Sequence, residues 1–507
     1  MIKKILVANR GEIAVRVMRS CYEMGIRTVA VYSEADRTSP HVSYADEAEC
    51  IGPAPSMESY LNIDKIINAA HKHKVDAIHP GYGFLSENAD FAERCEKEGF
   101  IFIGPKPGTM RQMGDKIQAR AHIAAAGLPV VPGTPNGLRS AEEALSACRK
   151  IGYPVILKAS MGGGGKGMRV ARNDEEVGTF YEAAKSEALS AFGDGTVYAE
   201  KYVEAPHHIE FQILGDKHGN VIHLFDRECS VQRRHQKIVE ESPSPFLDDQ
   251  LRQEMGATAV AAAKAVGYIG AGTVEFLVDN QKHFYFLEMN TRLQVEHPIT
   301  EEVCGIDLVK LQISIADGQK IPYRQTDIHQ RGHAIECRIC AEDTDNDFRP
   351  SPGLIRQLIE PQGMGIRLDA AVYQGYEIPV HYDPMIGKLI VWAVERRYAI
   401  ERMRRALYEY KITGLTTNIH YLRRLIDVPQ FKQGRYDTTF IEANRSRLTP
   451  RKGYRNDAEN MAIIAAYIDY LMRFEENNAE TPTGTKQDDT ALSRWRAFGL
   501  QKGVLRV

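Results

Sequence analysis

At 507 residues, with 43% hydrophobic and 26% charged side chains, the chain is too long for one hydrophobic core and has the make-up of a soluble globular protein of two to four domains. A formal net charge of -3 excludes the broad cationic footprint by which proteins hold nucleic acid, so any local cluster of lysines and arginines reads as a ligand site. No apolar run approaches the roughly 18 residues of a membrane span, and Met1-Ile-Lys-Lys4 runs straight into a strand pattern; neither a membrane segment nor a leader is expected, and the expected location is cytoplasmic.

Residues 1–112 alternate short apolar strands with amphipathic helices. Strands are predicted at 5–8, 28–32, 77–79 and 100–103, and helices near 12–24, 62–73 and 88–98, the layer pattern of a parallel, Rossmann-like α/β domain. The first strand-to-helix turn, Ala8-Asn-Arg-Gly-Glu12, has one glycine where a dinucleotide fingerprint needs three, so NAD is not expected. Residues 113–330 are richer in glycine. Here the loop Met161-Gly-Gly-Gly-Gly-Lys-Gly-Met168 lies between strand patterns at 154–159 and 168–171, and helices follow near 174–189 and 248–266. A third, α+β module at 331–446 opens with a strand at 334–340 and contains Asp383-Pro-Met-Ile-Gly-Lys-Leu-Ile-Val391.

The tail, 447–507, is expected to be a helical extension. Met461, Ile464, Ile468, Leu471 and Met472 recur at helical spacing, and after a polar linker at 475–489 a second helix pattern carries Leu492, Trp495 and Phe498. Such apolar stripes suit docking of a partner chain. The eight cysteines are scattered as reduced thiols are. The single CxxC, Cys337-Arg-Ile-Cys340, falls on a strand that turns its sulfurs to opposite faces, and no second CxxC completes a zinc site.

Four stretches carry chemistry. The glycine loop is not a P-loop, because Gly167 follows Lys166 where Ser or Thr is needed. It reads instead as a glycine hairpin whose backbone N–H groups close over phosphates, with Lys158 at the end of the preceding strand as counter-charge. Glu275 and Glu288 lie on adjacent strand patterns joined by Asp279-Asn-Gln-Lys282, so a hairpin sets them side by side. With the Asn290 amide they make a hard oxygen site for one or two magnesium ions on ATP phosphates; without a cation they would raise one another's pKa. Between the strand pattern at 221–225 and Ser242-Pro-Ser-Pro245, the run Asp226 to Lys237 gathers Arg227, Arg233, Arg234, His235 and Lys237, and is read as an anion-binding loop. In the run Glu288 to His297, an extended backbone puts Glu288, Asn290, Arg292, Gln294 and Glu296 on one face and Met289, Leu293 and Val295 on the other. Together these imply ATP- and metal-dependent activation of a small acid.

From Met1 to about Leu448 the chain resembles the biotin carboxylases, a family of ATP-grasp enzymes. The resemblance runs through Leu6-Val-Ala-Asn-Arg-Gly-Glu-Ile-Ala14, His79-Pro-Gly-Tyr-Gly-Phe-Leu-Ser-Glu-Asn88, the glycine loop, Gln232-Arg-Arg-His-Gln-Lys237 and Glu288 to His297. It implies a Rossmann-like N-terminal domain, an ATP-grasp domain whose glycine-loop lid spans about 131–203, and a C-terminal domain. It implies ATP contacts from Lys116, Lys158, Gly162, Gly163, Gly164, Gly165, His208, Gln232 and His235, with Glu200, Lys201 and Val203 lining the adenine. Glu275, Glu288 and Asn290 would hold magnesium or manganese; Lys237, Arg292, Gln294 and the Val295 backbone would hold bicarbonate. Glu296 would be the base, and Tyr82 and Arg338 would face the biotin ring.

No Met-Lys-Met sequence for biotin attachment occurs in the chain. Biotin is therefore expected on a separate carrier protein, with carboxyltransferase subunits as further partners and a homodimer as the expected assembly. The final acceptor is expected to be acetyl-CoA or propionyl-CoA, with pyruvate or another 2-oxoacid as the alternative. A carbamoyl phosphate synthase would show a duplicated chain, and no repeat is present. A non-catalytic nucleotide-binding scaffold would have lost Glu296, Arg338 or a metal carboxylate, and all are present.

Overall fold

The computed structural model describes residues 1–160, 168–449 and 461–471. The predicted phosphate-loop glycines 162 to 165 lie outside the described residues, as do Met472, the linker at 475–489, Leu492, Trp495 and Phe498. The chain divides into two compact units, Met1–Thr449 and Pro450–Val507. In the second, residues 461–471 form a helix on which Met461, Ile464, Ile468 and Leu471 are exposed.

The first unit begins with a five-stranded parallel sheet. Its spatial order is Glu47–Cys50, Arg27–Tyr32, Lys4–Val7, Ala77–His79, Ile101–Phe102, so the first strand of the chain is central. Alternation sorts the side chains: Ile5 and Val7 join the core under helix Gly11–Glu23, while Leu6, Val29 and Ile78 face helices Ile63–His73 and Ala89–Lys97. Asn62 and Asn88 start those two helices by accepting from the amides of Lys65 and Phe91. Glu47–Cys50 was not predicted. It is a half-exposed edge strand with glutamates at two of four positions, a composition that protects a sheet edge and hides it from a hydrophobicity reading.

The second sheet has eight strands, in the order Phe284–Asn290, Gly270–Val278, His207–Gly215, Val221–Arg233, Gln236–Ser242, His333–Cys340, Met385–Ala393, Ile366–Ala370, all antiparallel. It crosses the sequence boundary at 330 without a break: Val239 pairs with Cys337 and Glu240 with Glu336. A smaller antiparallel sheet, Met168–Ala171, Val155–Ala159 and Val197–Lys201, packs with helices Ala141–Ile151 and Asp174–Phe192 over one end of the cleft, where the lid is expected.

One strand is shorter than predicted. The run from Glu288 stays extended only to Asn290; residues 291–296 turn, and helix His297–Cys304 begins directly after Glu296. Pro298 explains the change, since it lacks an N–H and suits the first helical turn, where none is needed. Glu296 therefore reaches the site from a helix N-cap position and not from a strand face.

Candidate active site

The cleft between the two sheets and the lid encloses about 890 Å³. It is lined by the predicted residues Tyr82, Lys116, Lys158, Glu200, Lys201, Val203, His208, Gln232, His235, Lys237, Glu275, Glu288, Asn290, Arg292, Gln294, Val295 and Arg338. Glu296 is fully buried just beneath that surface.

Register aligns the acidic centre. Glu288 pairs with Glu275, Glu275 with Glu210 and Glu210 with Arg227, one row of side chains crossing four strands. Each carboxylate has a basic partner: Glu288 takes Lys116 at 2.9 Å, Glu275 takes His208 at 3.0 Å and Lys237 at 3.0 Å, and Glu210 takes Arg227 and Lys237 at 2.5 Å each. The two carboxylates are thus not left without basic partners, the condition under which they were expected to raise one another. Burial favours the neutral acid, but Lys237 and His208 outweigh it and hold Glu275 well below the usual carboxylate range.

Glu296 sits where two halves of the site meet. Its Oε1 accepts from Lys237 at 2.7 Å and its Oε2 from Arg338 at 3.0 Å. Burial alone would raise its carboxyl, yet Lys237, Arg338 and Arg227 hold it below the ordinary range. Arg338 also donates through Nε to Glu240 at 2.7 Å, and burial pushes Glu240 up to about 7 against the pull of Arg338. Across the cleft, Arg292 is fixed by Glu87, whose Oε2 accepts from its Nε at 2.8 Å while Oε1 accepts from the Thr291 amide at 3.1 Å. Its Nη1 donates to the Leu293 carbonyl and to Gln294 Oε1 at 3.2 Å each, and its Nη2 to Asn290 Oδ1 at 3.5 Å.

At the other end, Lys158 pairs with Glu200 at 2.5 Å, with Arg120 on the second Glu200 oxygen. The Lys201 ammonium donates to the carbonyls of Gly152 and Tyr153, and Gln232 contacts His208 at 3.3 Å. His235 sits at the tip of the hairpin closed by Arg233 and Gln236, where both Arg234 and His235 have positive φ, at 48° and 65°. A two-residue turn demands that backbone, and side chains other than glycine rarely adopt it, so the tip is strained.

The basic run is only partly an anion site, which narrows its reading as an anion-binding loop. Arg227 is buried against Glu210, Gln212, Thr273 and Thr300. Arg233 and Arg234 both pair with Asp347. Gln232, His235 and Lys237 are left facing the cleft. Sequence reasoning gave no role to Glu87, Glu210, Glu240 or Lys388. Glu210 had a signal: His208, Glu210 and Gln212 alternate along a strand that is buried at every position, and polar side chains there need partners.

The donor set fits a hard divalent cation. Glu275 and Glu288 stand in register, Asn290 contacts Glu275 at 2.9 Å, and the ammonium groups now on those oxygens, from Lys116 and Lys237, mark where positive charge is stabilised. Two other groupings of donor atoms, His208–Glu210–Glu275 and Glu210–Cys229–Glu296, share Glu210, which is already committed to Arg227 and Lys237.

Residues 1–110 match the family model described as biotin carboxylase, N-terminal domain; 115–324 match the carbamoyl-phosphate synthase L chain, ATP binding domain; 336–443 match the biotin carboxylase C-terminal domain. The chain is 55% identical over 439 residues to the biotin carboxylase of Nostoc sp., covering 87% of this chain and 98% of that protein. It is 54% identical over 462 residues to a pyruvate carboxylase subunit of Methanothermobacter thermautotrophicus, covering 90% and 94%. It is also similar to the biotin carboxylase domain dimer of Hydrogenobacter thermophilus 2-oxoglutarate carboxylase, solved with MgADP, ADP and bicarbonate: the TM-score is 0.86 at 49% identity, over 89% of this chain and all of that one.

Proposed function

The chain belongs to the biotin carboxylase family, and from that premise we propose how its residues carboxylate biotin with bicarbonate and ATP. The observation that carries the assignment of roles is Glu296, held between Lys237 of the bicarbonate side and Arg338 of the biotin side. Lys116, Lys158, His208, Gln232 and His235 bind the ATP phosphates and sugar, and the segment from Glu200 through Lys201 to Val203 lines the adenine. Glu275, Glu288 and Asn290 would hold magnesium or manganese, which when bound neutralises phosphate charge and aligns the γ-phosphate. Arg292, Lys237, Gln294 and the Val295 backbone hold bicarbonate beside that phosphate.

In the free site Glu296 is a weak base, because Lys237 and Arg338 are on it. An incoming anion draws those cations toward itself, and the carboxylate recovers basicity as they turn away. Glu296 then takes the bicarbonate proton. The freed oxygen forms a bond to the γ-phosphorus, ADP leaves, and carboxyphosphate results. Its C–O bond to phosphate breaks to give CO2 and phosphate, the phosphate removes the N–H proton of biotin, and the ring nitrogen attacks CO2. Arg338 stabilises the negative oxygen that develops on the ureido ring, beside Tyr82. Closure of the lid, about 131–203, keeps water from the intermediate.

The reading places biotin on a carrier chain, with carboxyltransferase subunits as further partners, in the cytoplasm. No helix among the described residues is long and apolar enough to cross a membrane. A homodimer is supported by the dimer of the Hydrogenobacter domain. An acyl-CoA is the proposed final acceptor; likeness to a pyruvate carboxylase subunit over 462 residues favours a 2-oxoacid as the second reading. Magnesium-saturated protein should release phosphate from ATP only with bicarbonate, and faster with free biotin. Phosphate release that ignores bicarbonate would overturn the assignment of the anion site.

A further inference from the structure

Glu12 has no part in the chemistry above, yet it lines the cleft, is only 6% exposed, and its Oε2 has no hydrogen-bond partner. It is the second residue of helix Gly11–Glu23, at the end of the central parallel strand and opposite the loop that follows Ala77–His79. That is the point where the strand order reverses, the place where sheets of this kind receive ligands.

Two donors meet on the other oxygen. Oε1 accepts from the Tyr82 hydroxyl and stands 3.2 Å from Lys388 Nζ. Lys388 is fully buried, donates to the Val295 carbonyl at 2.9 Å and lies 5.7 Å from the centre of the Tyr82 ring. The Tyr82 backbone is itself anchored, because Asn9 Nδ2 donates to the carbonyls of Pro80 and Tyr82 at 2.7 Å each. One carboxylate oxygen thus joins the residue facing the biotin ring to the segment facing bicarbonate. Around it burial pushes the carboxyl up to about 7 against Lys388, with Asp369 and Arg367 nearby. Ionisation of Glu12 therefore depends on where the Lys388 ammonium stands.

We propose that Glu12 is a positioning residue that couples the two substrate sides of the cleft, orienting Tyr82 for the biotin ring directly and the Val295 carbonyl for bicarbonate through Lys388. This rests on the roles assigned above to Tyr82 and Val295. When biotin draws the Tyr82 hydroxyl, Oε1 is left to Lys388 alone, and the lysine moves with respect to Val295. Occupancy on one side thereby changes affinity on the other, and by linkage the effect is mutual.

The test measures KM for ATP, bicarbonate and biotin in the intact chain carrying Glu12→Gln, Tyr82→Phe, or both. Glu12→Gln should raise the KM for bicarbonate and for biotin by about tenfold or more, the scale of a charged hydrogen bond, with the ATP value within about twofold. Tyr82→Phe should raise the biotin KM, move the bicarbonate KM to the value that wild type shows at saturating biotin, and add little in the Glu12→Gln background. All three KM values rising together with a fall in Tm, or additive effects in the double variant, would overturn the coupling. If Glu12→Gln does not fold, Tyr82→Phe decides: wild-type bicarbonate KM should shift between low and saturating biotin, and an unchanged shift in Tyr82→Phe refutes the proposal. Wild-type protein without bicarbonate-dependent ATP cleavage would instead refute the parent assignment, and this inference with it.

Discussion

Replacing Glu296 with glutamine keeps the shape of the side chain and removes its charge. The fold should tolerate this, because Lys237 retains Glu210 at 2.5 Å and Glu275 at 3.0 Å, and Arg338 retains Glu240 at 2.7 Å. Neither cation is left bare, and an amide oxygen still accepts from one of them, so the loss of stability should stay at about 1.5–3 kcal/mol, the range of a hydrogen bond to a charged group. Turnover is another matter, since glutamine cannot take a proton from bicarbonate. A general base contributes about two to four powers of ten, or roughly 3–5 kcal/mol of barrier at 1.36 kcal/mol per decade. Phosphate release at saturating magnesium and varied ATP and bicarbonate separates the two effects: kcat should fall by that factor and the ATP KM should hold. A kcat within about tenfold of wild type would refute the base. An ATP KM that rises as steeply as kcat falls would make Glu296 a structural link between the nucleotide side and Arg338.

Arg338→Ala should lower biotin carboxylation far more than bicarbonate-dependent ATP cleavage, because Glu296 keeps Lys237; Glu240, already near 7, then protonates and limits the damage to the fold. Both activities measured on one preparation check this, and an equal fall in both contradicts it. Glu241 is buried against Arg396 at 2.7 Å and His333 at 2.5 Å, and although burial favours its neutral form these partners hold it at about 2, below an ordinary 4.5. A depressed carboxyl stabilises fully above its unfolded value and loses that contribution as pH falls through the folded one. Wild type should therefore exceed Glu241→Gln by a constant margin of roughly 3 kcal/mol above pH 4.5, shrinking toward pH 2, as read from denaturant melts across pH. Removal of residues 450–507 should leave activity with free biotin intact, since the family match ends at 443, and should abolish co-purification with carrier or carboxyltransferase chains. An inactive or insoluble truncated chain would show that the tail serves its own subunit.

Local pattern carried much of this structure. The strands bearing Glu275 and Glu288 were legible because alternation and a polar turn are both encoded within twenty residues, and the pairing follows from them. The parallel sheet was legible for the same reason, except at Glu47–Cys50, whose glutamates guard an edge instead of filling a core. Charge without geometry misled: Arg227, Arg233 and Arg234 look alike in sequence, but Arg227 turns into the sheet against Glu210 of the neighbouring strand, while the partner of the other two, Asp347, lies far along the chain. The turn at 291–296 was hidden because residues that alternate in sequence need not alternate in space once Pro298 starts a helix. Glu240 and Lys388 could not be found at all, since each matters only through a contact that the long-range pairing of the sheet creates.

The unbroken eight-stranded sheet also constrains synthesis. Gln236–Ser242 has no neighbour on one side until His333–Cys340 arrives, roughly 90 residues later in the chain. At ribosomal rates of about 5–20 residues per second, that hydrogen-bonding edge stays open for roughly 5–20 s. An open edge of this kind invites pairing with a neighbouring nascent chain. Glu240 and Glu241 lie on that edge, both charged while the chain is unfolded and later neutralised by Arg338, His333 and Arg396, which all emerge after it. Glu240, which later braces Arg338, and Glu241, which later holds His333 and Arg396, thus give the open edge a negative charge that opposes such pairing.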